Sequence, residues 1–341
     1  MPRQVRVRRH PLGPVSVEDF SIVDVSMPKP GDGEVLVRNM WTSVDPAIRI
    51  RVAAHAPAGY FPTFVLDAPM DGILTVGEVV ESRADGFSPG DVVWHGYGWR
   101  EYAAVPAADP LGSLHSLRRL DASIAPLQTY LGPLGGMGLT AYAGLFDVAG
   151  LRGGDVVWVS AAAGAVGSLV AQFAKLRGHT VIGSAGSDEK VAHLLGDLGL
   201  DAAFNYKHGA LEDQLRAASP DGIDVYFDNV GGDHLRAALA VLRHWGRVAI
   251  CGAVSQYERD RPEPGPDNLF QAVANDLTLR GFRGSSYMHR MDDMQREVAE
   301  WMRNGRLQYR ETVIEGLARA PEALVRMLAG QTVGKTLVRI A

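Results

Sequence analysis

A chain of 341 residues is too long for one ordinary hydrophobic core and predicts two domains. A hydrophobic share of 46% with 21% charged residues is that of a soluble globular protein, and a net charge of −5 leaves no electrostatic footprint for nucleic acid. One cysteine, Cys251, excludes an internal disulfide and a multi-thiolate zinc site, and the scattered histidines lack H-E-x-x-H spacing, so no metal centre is expected. The lone thiol fits a reducing compartment, and no apolar signal-peptide core follows the basic opening Arg3 to His10; a cytoplasmic protein is expected.

Residues 1–125 are rich in Val, Pro, Gly and turn residues. Arg3–Arg9 reads as a strand with alternating exposed charges, and Gly31-Asp32-Gly33 as a turn into the strand Glu34–Arg38. Ile73–Ser82 is a further strand, and Ser88-Pro89-Gly90-Asp91 turns into Val92–Trp94. Short strands with dense turns predict a β-barrel-type domain. His95, between Trp94 and Trp99, reads as structural.

From about Ala125 the rhythm changes. Gly138–Ala149 reads as a helix ended by Gly150. The strands Val156–Ser160, Thr180–Ser184, Ala202–Asn205, Val225–Asp228 and Val248–Cys251 then alternate with the helices Ser168–Arg177, Asp188–Leu198, Ala210–Ala217 and His234–Arg243. Leu277–Phe282 supplies a sixth strand and Arg290–Asn304 a further helix. This βαβ alternation predicts an α/β, doubly wound parallel sheet. The tail Thr312–Ile340, with its helix Ala320–Leu328, is expected to return to the first domain, because the sheet is already complete. The expected domains are therefore 1–125 completed by 306–341, and 126–305. Tyr257–Asp267 is a Pro- and charge-rich loop, readable as a flap beside a ligand cleft or as an inert surface loop.

The most informative stretch is Val156 to Gly167: a β-branched strand, a turn of small residues, then a helix. That order suits the phosphate-binding corner of a dinucleotide fold. Small side chains let the backbone approach a pyrophosphate, and the helix N-terminus supplies N–H groups and partial positive charge. Ala162 stands where G-x-G-x-x-G would have its first Gly. The apolar run Val156–Ala174 is also long enough for a membrane span. Gly164 and Gly167 in mid-run, and the repeats of strand and helix that follow, argue for the corner instead.

Several collinear segments resemble the medium-chain dehydrogenase/reductase superfamily, in its zinc-independent branch of prostaglandin reductases and alkenal double-bond reductases. They are Ser43-Val44-Asp45-Pro46, Val76–Ser82, Leu139-Thr140-Ala141-Tyr142, Ala161–Gly167, Gly186–Lys190, Phe204–Lys207, Phe227–Gly232, Cys251–Ser255 and Gly334-Lys335-Thr336. The resemblance implies a GroES-like barrel-type catalytic domain, a Rossmann domain with a cofactor cleft between them, and a homodimer. It also implies reduction of the C=C bond of α,β-unsaturated aldehydes and ketones with NADPH. The sequence departs from the branch at Ala47-Ile48-Arg49, where a Tyr commonly follows the Pro, after the Pro-rich loop, where some members carry a Tyr and the neighbourhood here is Asn268-Leu269-Phe270, and at Thr332, where an Asn is common.

The second strand of the alternation ends Gly183-Ser184-Ala185-Gly186-Ser187 with no acid before Asp188, so the carboxylate of an NAD-preferring corner is missing. Lys190 follows in the first turn of the next helix, where a cation opposes the macrodipole unless an anion is near. The resemblance puts Lys190 and Tyr206 on a 2′-phosphate; a solvated Lys190, and Asp188 as ribose acceptor, remain open. Corner and resemblance together make Thr140, Gly164, Ala165, Val166, Gly167, Ser187, Lys190, Tyr206, Asn229, Cys251, Gly252, Ser255, Tyr257, Phe282 and Gly284 the expected cofactor contacts, with no metal ligand. Tyr257 is the candidate donor to a developing enolate, or an aromatic packing the cofactor. Tyr60, Phe61, Tyr97 and Tyr287 could line an apolar substrate site or belong to the core. The expected partner is a small enal or enone, with no nucleic acid and no membrane. A quinone oxidoreductase of the same superfamily and a non-catalytic NADPH-binding sensor are the alternatives.

Overall fold

The computed structural model describes residues 1–108, 110–259 and 264–341. The chain divides into two units, 1–132 with 311–341, and 133–310. In the first unit, β1 (Arg3–Val7) and β2 (Phe20–Asp24) form an antiparallel ribbon. Its inward side chains Val5, Val7 and Phe20 are buried in a cluster with Trp99. Then come β3 (Glu34–Ser43), the short helix α1 (Pro46–Val52), β4 (Thr75–Ser82), β5 (Val92–His95), β6 (Tyr102–Pro106) and β7 (Arg118–Arg119). The long strand β3 pairs antiparallel with both β4 and β6, and the alternate residues Val35 and Val37 face the core. His95 lies fully buried, with Nε2 3.0 Å from Asn39 Oδ1 and Nδ1 accepting from the Tyr97 N–H. Both ring nitrogens are used, and burial lowers its pKa to about 3, so the ring is a neutral structural group.

The second unit holds the α/β alternation. Helix α2 (Gly136–Ala143) runs on into a single wider turn, Gly144–Val148, and Gly150, at φ 58°, ends it. The strands are β8 (Val156–Val159), β9 (Thr180–Ala185), β10 (Ala202–Asn205), β11 (Ile223–Asp228), β12 (Leu242–Ile250) and β13 (Thr278–Gly281). Between them run α3 (Ala165–Leu176), α4 (Asp188–Gly196), α5 (Leu211–Ala218), α6 (Gly232–Val241) and the short α7 (Gln271–Ala274), with α8 (Met291–Arg303) after β13. All six strands are parallel, in the order β10-β9-β8-β11-β12-β13. The order turns back between β8 and β11, the switch point at which open α/β sheets bind ligands beyond their carboxyl ends. Trp158, Tyr226 and Ile182 fill the core on one face.

The chain then returns to the first unit. Strand β15 (Lys335–Arg339) lies parallel to β14 (Glu311–Glu315) and antiparallel to β3, with α9 (Ala320–Leu328) between the two. Lys335 Nζ donates at 2.8 Å to both the Val44 carbonyl and Asp45 Oδ1.

Three readings of the sequence need correction. The helix after the small-residue turn starts at Ala165, not Ser168, so Ala165, Val166 and Gly167 belong to its first turn. The helix expected to reach Arg243 stops at Val241, because buried Leu242 already pairs with Ile223 at the start of β12. Strands β2 and β6 and helix α1 went unread, their apolar runs being short. Of the loop Tyr257–Asp267, residues 260–263 lie outside the described residues. No helix among the described residues is long and apolar enough to cross a membrane; the run Val156–Ala174 is strand, turn and helix.

Candidate functional site

The corner is built by close backbone packing. Ala161 takes φ 48°, and the fully buried Ala162 donates its N–H to the Ser184 carbonyl at 3.0 Å. A Cβ on Gly183 would lie 3.0 Å from Ala162 Cβ. The space for a methyl at the fingerprint's first position is thus supplied by a glycine on the neighbouring strand. Gly164 is the N-cap of α3, and the first bond of the helix ladder runs from Ser168 N–H to the Gly164 carbonyl. The N–H groups of Ala165, Val166 and Gly167 precede that bond and form the anion-attracting end of the helix. A Cβ on Gly167 would overlap the Ala161 carbonyl oxygen and come within 2.9 Å of Ala162 Cα, so only glycine fits.

Beyond β9 and β10 the edge is half-exposed and charged, Lys190 and Lys207 standing with Asp188 and Glu189. Ser187 caps α4, its Oγ accepting from the Lys190 N–H at 3.4 Å. The Lys190 ammonium is held below its ordinary pKa, first by burial and then by Lys207, with Glu189 opposing. Tyr206 follows β10, stands with its hydroxyl 3.0 Å from the position a Gly186 Cβ would take, and meets the His234 ring edge-on at 5.0 Å.

Beyond β11 and β12 the edge centres on one buried carboxylate, Asp228, with Asn229 and Cys251–Tyr257 partly buried around it. Asp228 Oδ1 accepts from the Tyr226 hydroxyl at 2.8 Å, the Val230 N–H at 2.9 Å and the Gly231 N–H at 2.7 Å. Its carbonyl accepts from the N–H groups of Cys251 and Gly252. Asn229 Nδ2 donates to the Ser160 carbonyl at 2.8 Å and its N–H to Ser160 Oγ at 3.0 Å, which ties this turn to the corner. Ser255 Oγ donates to the Val230 carbonyl at 2.6 Å. The Tyr257 hydroxyl accepts from the Ala253 N–H at 3.2 Å and sits 3.2 Å from where a Gly252 Cβ would be. Burial pushes the Asp228 carboxyl up against the pull of its N–H and O–H donors, and Asp228 Oδ2 is buried with no partner among the described residues. Burial, then Asp228, pushes the Cys251 thiol up to about 12, so it is a neutral wall and not a nucleophile. Burial also raises the Tyr257 phenol, which stays protonated.

Thr140, Phe282 and Gly284 form a further group. A Cβ on Gly284 would run into Thr140 Oγ1, whose hydroxyl donates to the Gly136 carbonyl at 2.8 Å. Phe282 packs edge-on against Phe227 of β11 at 6.1 Å. All the expected contacts thus fall in the second unit, most of them along the carboxyl edge of its sheet. Tyr60, Phe61, Tyr97 and Tyr287 are each half-buried, neither core nor fully exposed. Sequence reasoning missed Ser160, Gly183, Asn205 and Asp228. Each stands at or near a strand's carboxyl end, and that position was the available signal.

Residues 3–111 match the family model described as the N-terminal domain of oxidoreductase, and residues 165–303 the one described as zinc-binding dehydrogenase. The 2-alkenal reductase (NADP(+)-dependent) of Nicotiana tabacum is 38% identical, across 99% of this chain and 97% of its own. Prostaglandin reductase 1 of Rattus norvegicus is 39% identical, across 98% and 97%. Among solved structures, CurA from Vibrio vulnificus in complex with NADPH superposes with a TM-score of 0.90 at 33% identity, covering 99% of both chains. The chain belongs to the medium-chain dehydrogenase/reductase family, in its zinc-independent branch. Among the described residues no group of three or more His, Cys, Asp or Glu side chains is placed to hold a metal ion.

Proposed function

We propose that this protein is an NADPH-dependent reductase of the carbon–carbon double bond in α,β-unsaturated aldehydes and ketones. The observation that carries the reading is the corner at 160–167, continued along the same sheet edge by Lys190 and Tyr206 on one side and by Asn229 and Tyr257 on the other. The relatives named for 2-alkenal and prostaglandin reduction support the substrate class.

The residues fit the coenzyme. The first turn of α3 would hold a pyrophosphate, and a side chain at Gly167 would push into the Ala161–Ala162 backbone that shapes the turn. Lys190 and Tyr206 hold a 2′-phosphate; Thr140, Asn229, Cys251, Gly252, Ser255, Phe282 and Gly284 border the reacting half. Bound NADPH supplies hydride for the β-carbon of the substrate. Tyr257 is the donor to the carbonyl oxygen on which charge then develops: its oxygen already accepts from Ala253, which leaves the O–H to donate. Its raised pKa keeps that proton in place at neutral pH.

The test is NADPH oxidation with a panel of enals, enones and quinones, beside titrations with NADPH and NADH. Turnover of enals or enones with NADPH is expected. Turnover of quinones alone, or tight NADPH binding with no turnover, would overturn the substrate assignment in favour of a quinone oxidoreductase or a sensor.

A homodimer belongs to the same reading. Trp245 is 67% exposed at φ 61°, Phe270 is 76% exposed and Val273 68%. The Trp245 N–H donates to the Asn275 carbonyl at 2.8 Å, which sets it beside α7, and β13 pairs only with β12 among the described strands. An open edge strand flanked by exposed aromatics suits a second copy of the chain. Light scattering should give twice the monomer mass, and Trp245→Asp should halve it. The single thiol suits a cytoplasmic location.

A further inference from the structure

Asp188 is the first acid after β9, where a carboxylate free to reach the ribose would accept from a 2′-hydroxyl and repel a 2′-phosphate. It is not free. Asn205, the last residue of β10, is 7% exposed, and its Nδ2 donates to Asp188 Oδ1 at 2.8 Å. The same Nδ2 lies 3.1 Å from His208 Nε2, which is itself 3.5 Å from the Asp188 carboxylate. Asn205 Oδ1 accepts from the Lys207 N–H at 3.2 Å, and its carbonyl from the His208 N–H at 3.0 Å. One buried amide therefore fixes both the turn that carries Tyr206 and Lys207 and the carboxylate at the start of α4. The residue stands opposite Ala185, the end of β9, so its side chain is set by strand pairing.

We propose that Asn205 is a specificity-determining residue: by tying Asp188 to the β10 turn, it keeps that carboxylate from the ribose and so favours the phosphorylated coenzyme. This rests on the NADPH reading above and adds to it the device that sets the choice. Lys190 and Lys207 supply attraction, and the tethered Asp188 is repulsion held out of play.

The test is a double-mutant cycle of NADPH and NADH affinities on the full chain, with wild type, Asn205→Ala, Asp188→Asn and the double variant. Asn205→Ala is expected to weaken NADPH about tenfold while NADH holds or improves, because the released carboxylate acts on the phosphate at short range. The double variant should return NADPH affinity to within about threefold of wild type, since no charge remains to be released. Asp188→Asn alone should change the coenzyme ratio by less than about twofold. Failure of the double variant to recover would overturn the proposal and leave Asn205 a shaper of the 206–208 turn. A large gain in NADPH preference from Asp188→Asn alone would overturn it too, since Asp188 would already be acting on the site. Should Asn205→Ala not fold, Asn205→Ser shortens the reach to Asp188 with less lost volume and reads the same cycle. Wild type indifferent to both coenzymes would sink the underlying NADPH reading, a result distinct from a missing recovery.

Discussion

At the β9–β10 end of the sheet edge the side chains are charged, of both signs, and partly in water: Lys190 is half-buried, Lys207, Asp188 and Glu189 are exposed and Tyr206 is 37% exposed. At the β11–β12 end, Tyr226 and Asp228 are fully buried, and Asn229 and Tyr257 are bonded into the same turn. The first end works by charge through a screened medium, so each group contributes modestly and salt weakens it. The second works by hydrogen bonds gathered on a buried carboxylate in a low dielectric, where a lost partner costs more. On the proposed function, affinity and coenzyme choice would belong to the first end and rate to the second.

The sharpest way to break both ends together is at the corner between them. Gly167→Val drives a side chain into the Ala161 carbonyl and Ala162 backbone, neither of which is the far end of a flexible chain. The turn must shift to admit the side chain, and NADPH affinity is expected to fall by more than about a hundredfold. Fluorescence titration reads the loss, and binding within about threefold of wild type would refute the close-approach reading.

Next in size is Tyr257→Phe. It removes the O–H while keeping the ring, and the Ala253 N–H loses its acceptor. Loss of one donor at a developing oxyanion lowers kcat by about a hundredfold. NADPH affinity should move by less than about threefold, because the coenzyme is gripped elsewhere. A fall in affinity with kcat unchanged would make Tyr257 a packing group only. At the other end, Lys190→Ala should weaken NADPH about tenfold and leave NADH nearly unchanged. Raising the ionic strength should shrink that difference. An equal loss for both coenzymes would place Lys190 outside the phosphate-binding role.

How much of this was legible in the sequence follows the same division. The alternation of strands and helices was readable because β-branched runs such as Val156-Val157-Trp158-Val159 are bounded by glycines and caps. Lys190 stood out locally, as a cation in a helix's first turn, whereas Tyr206 was reached only through the family resemblance. The buried network was not. Ser160 meets Asn229 across 69 positions, and Asn205 meets Asp188 across 17, through strand pairings that no local period encodes. Gly183 was missed for the same reason, since it makes room for a methyl on another strand. The end of α6 was misread because Arg243 and His244 continue a helical pattern. Only the pairing of Leu242 with Ile223 starts β12 there, and Trp245 at φ 61° lies inside that strand, where its register shifts.

The smallest expected effect sits where the two ends touch. His234 is 6% exposed, lies 5.9 Å from Trp158 with nearly parallel rings, carries Tyr206 on its edge, and has no partner for Nε2 among the described residues. Burial lowers its pKa to about 4, with Asp233 opposing. The unfolded chain, with an ordinary imidazole near 6.5, binds the proton first as pH falls. Stability from the neutral ring is therefore full above pH 6.5 and is lost as the pH drops toward 4, by about 1 kcal/mol between pH 6.5 and 5.5. His95, with its own lowered pKa, adds a like slope from the first unit, so the measurement is a difference. His234→Phe keeps a ring against Trp158 and should make the wild-type loss of Tm over that interval shallower, without erasing it. An unchanged slope would mean that His234 charges freely in the fold. The exposed end would then rest on a hydrated ring, and the contrast between a wet, charged end and a dry, hydrogen-bonded one would fail at the point where they meet.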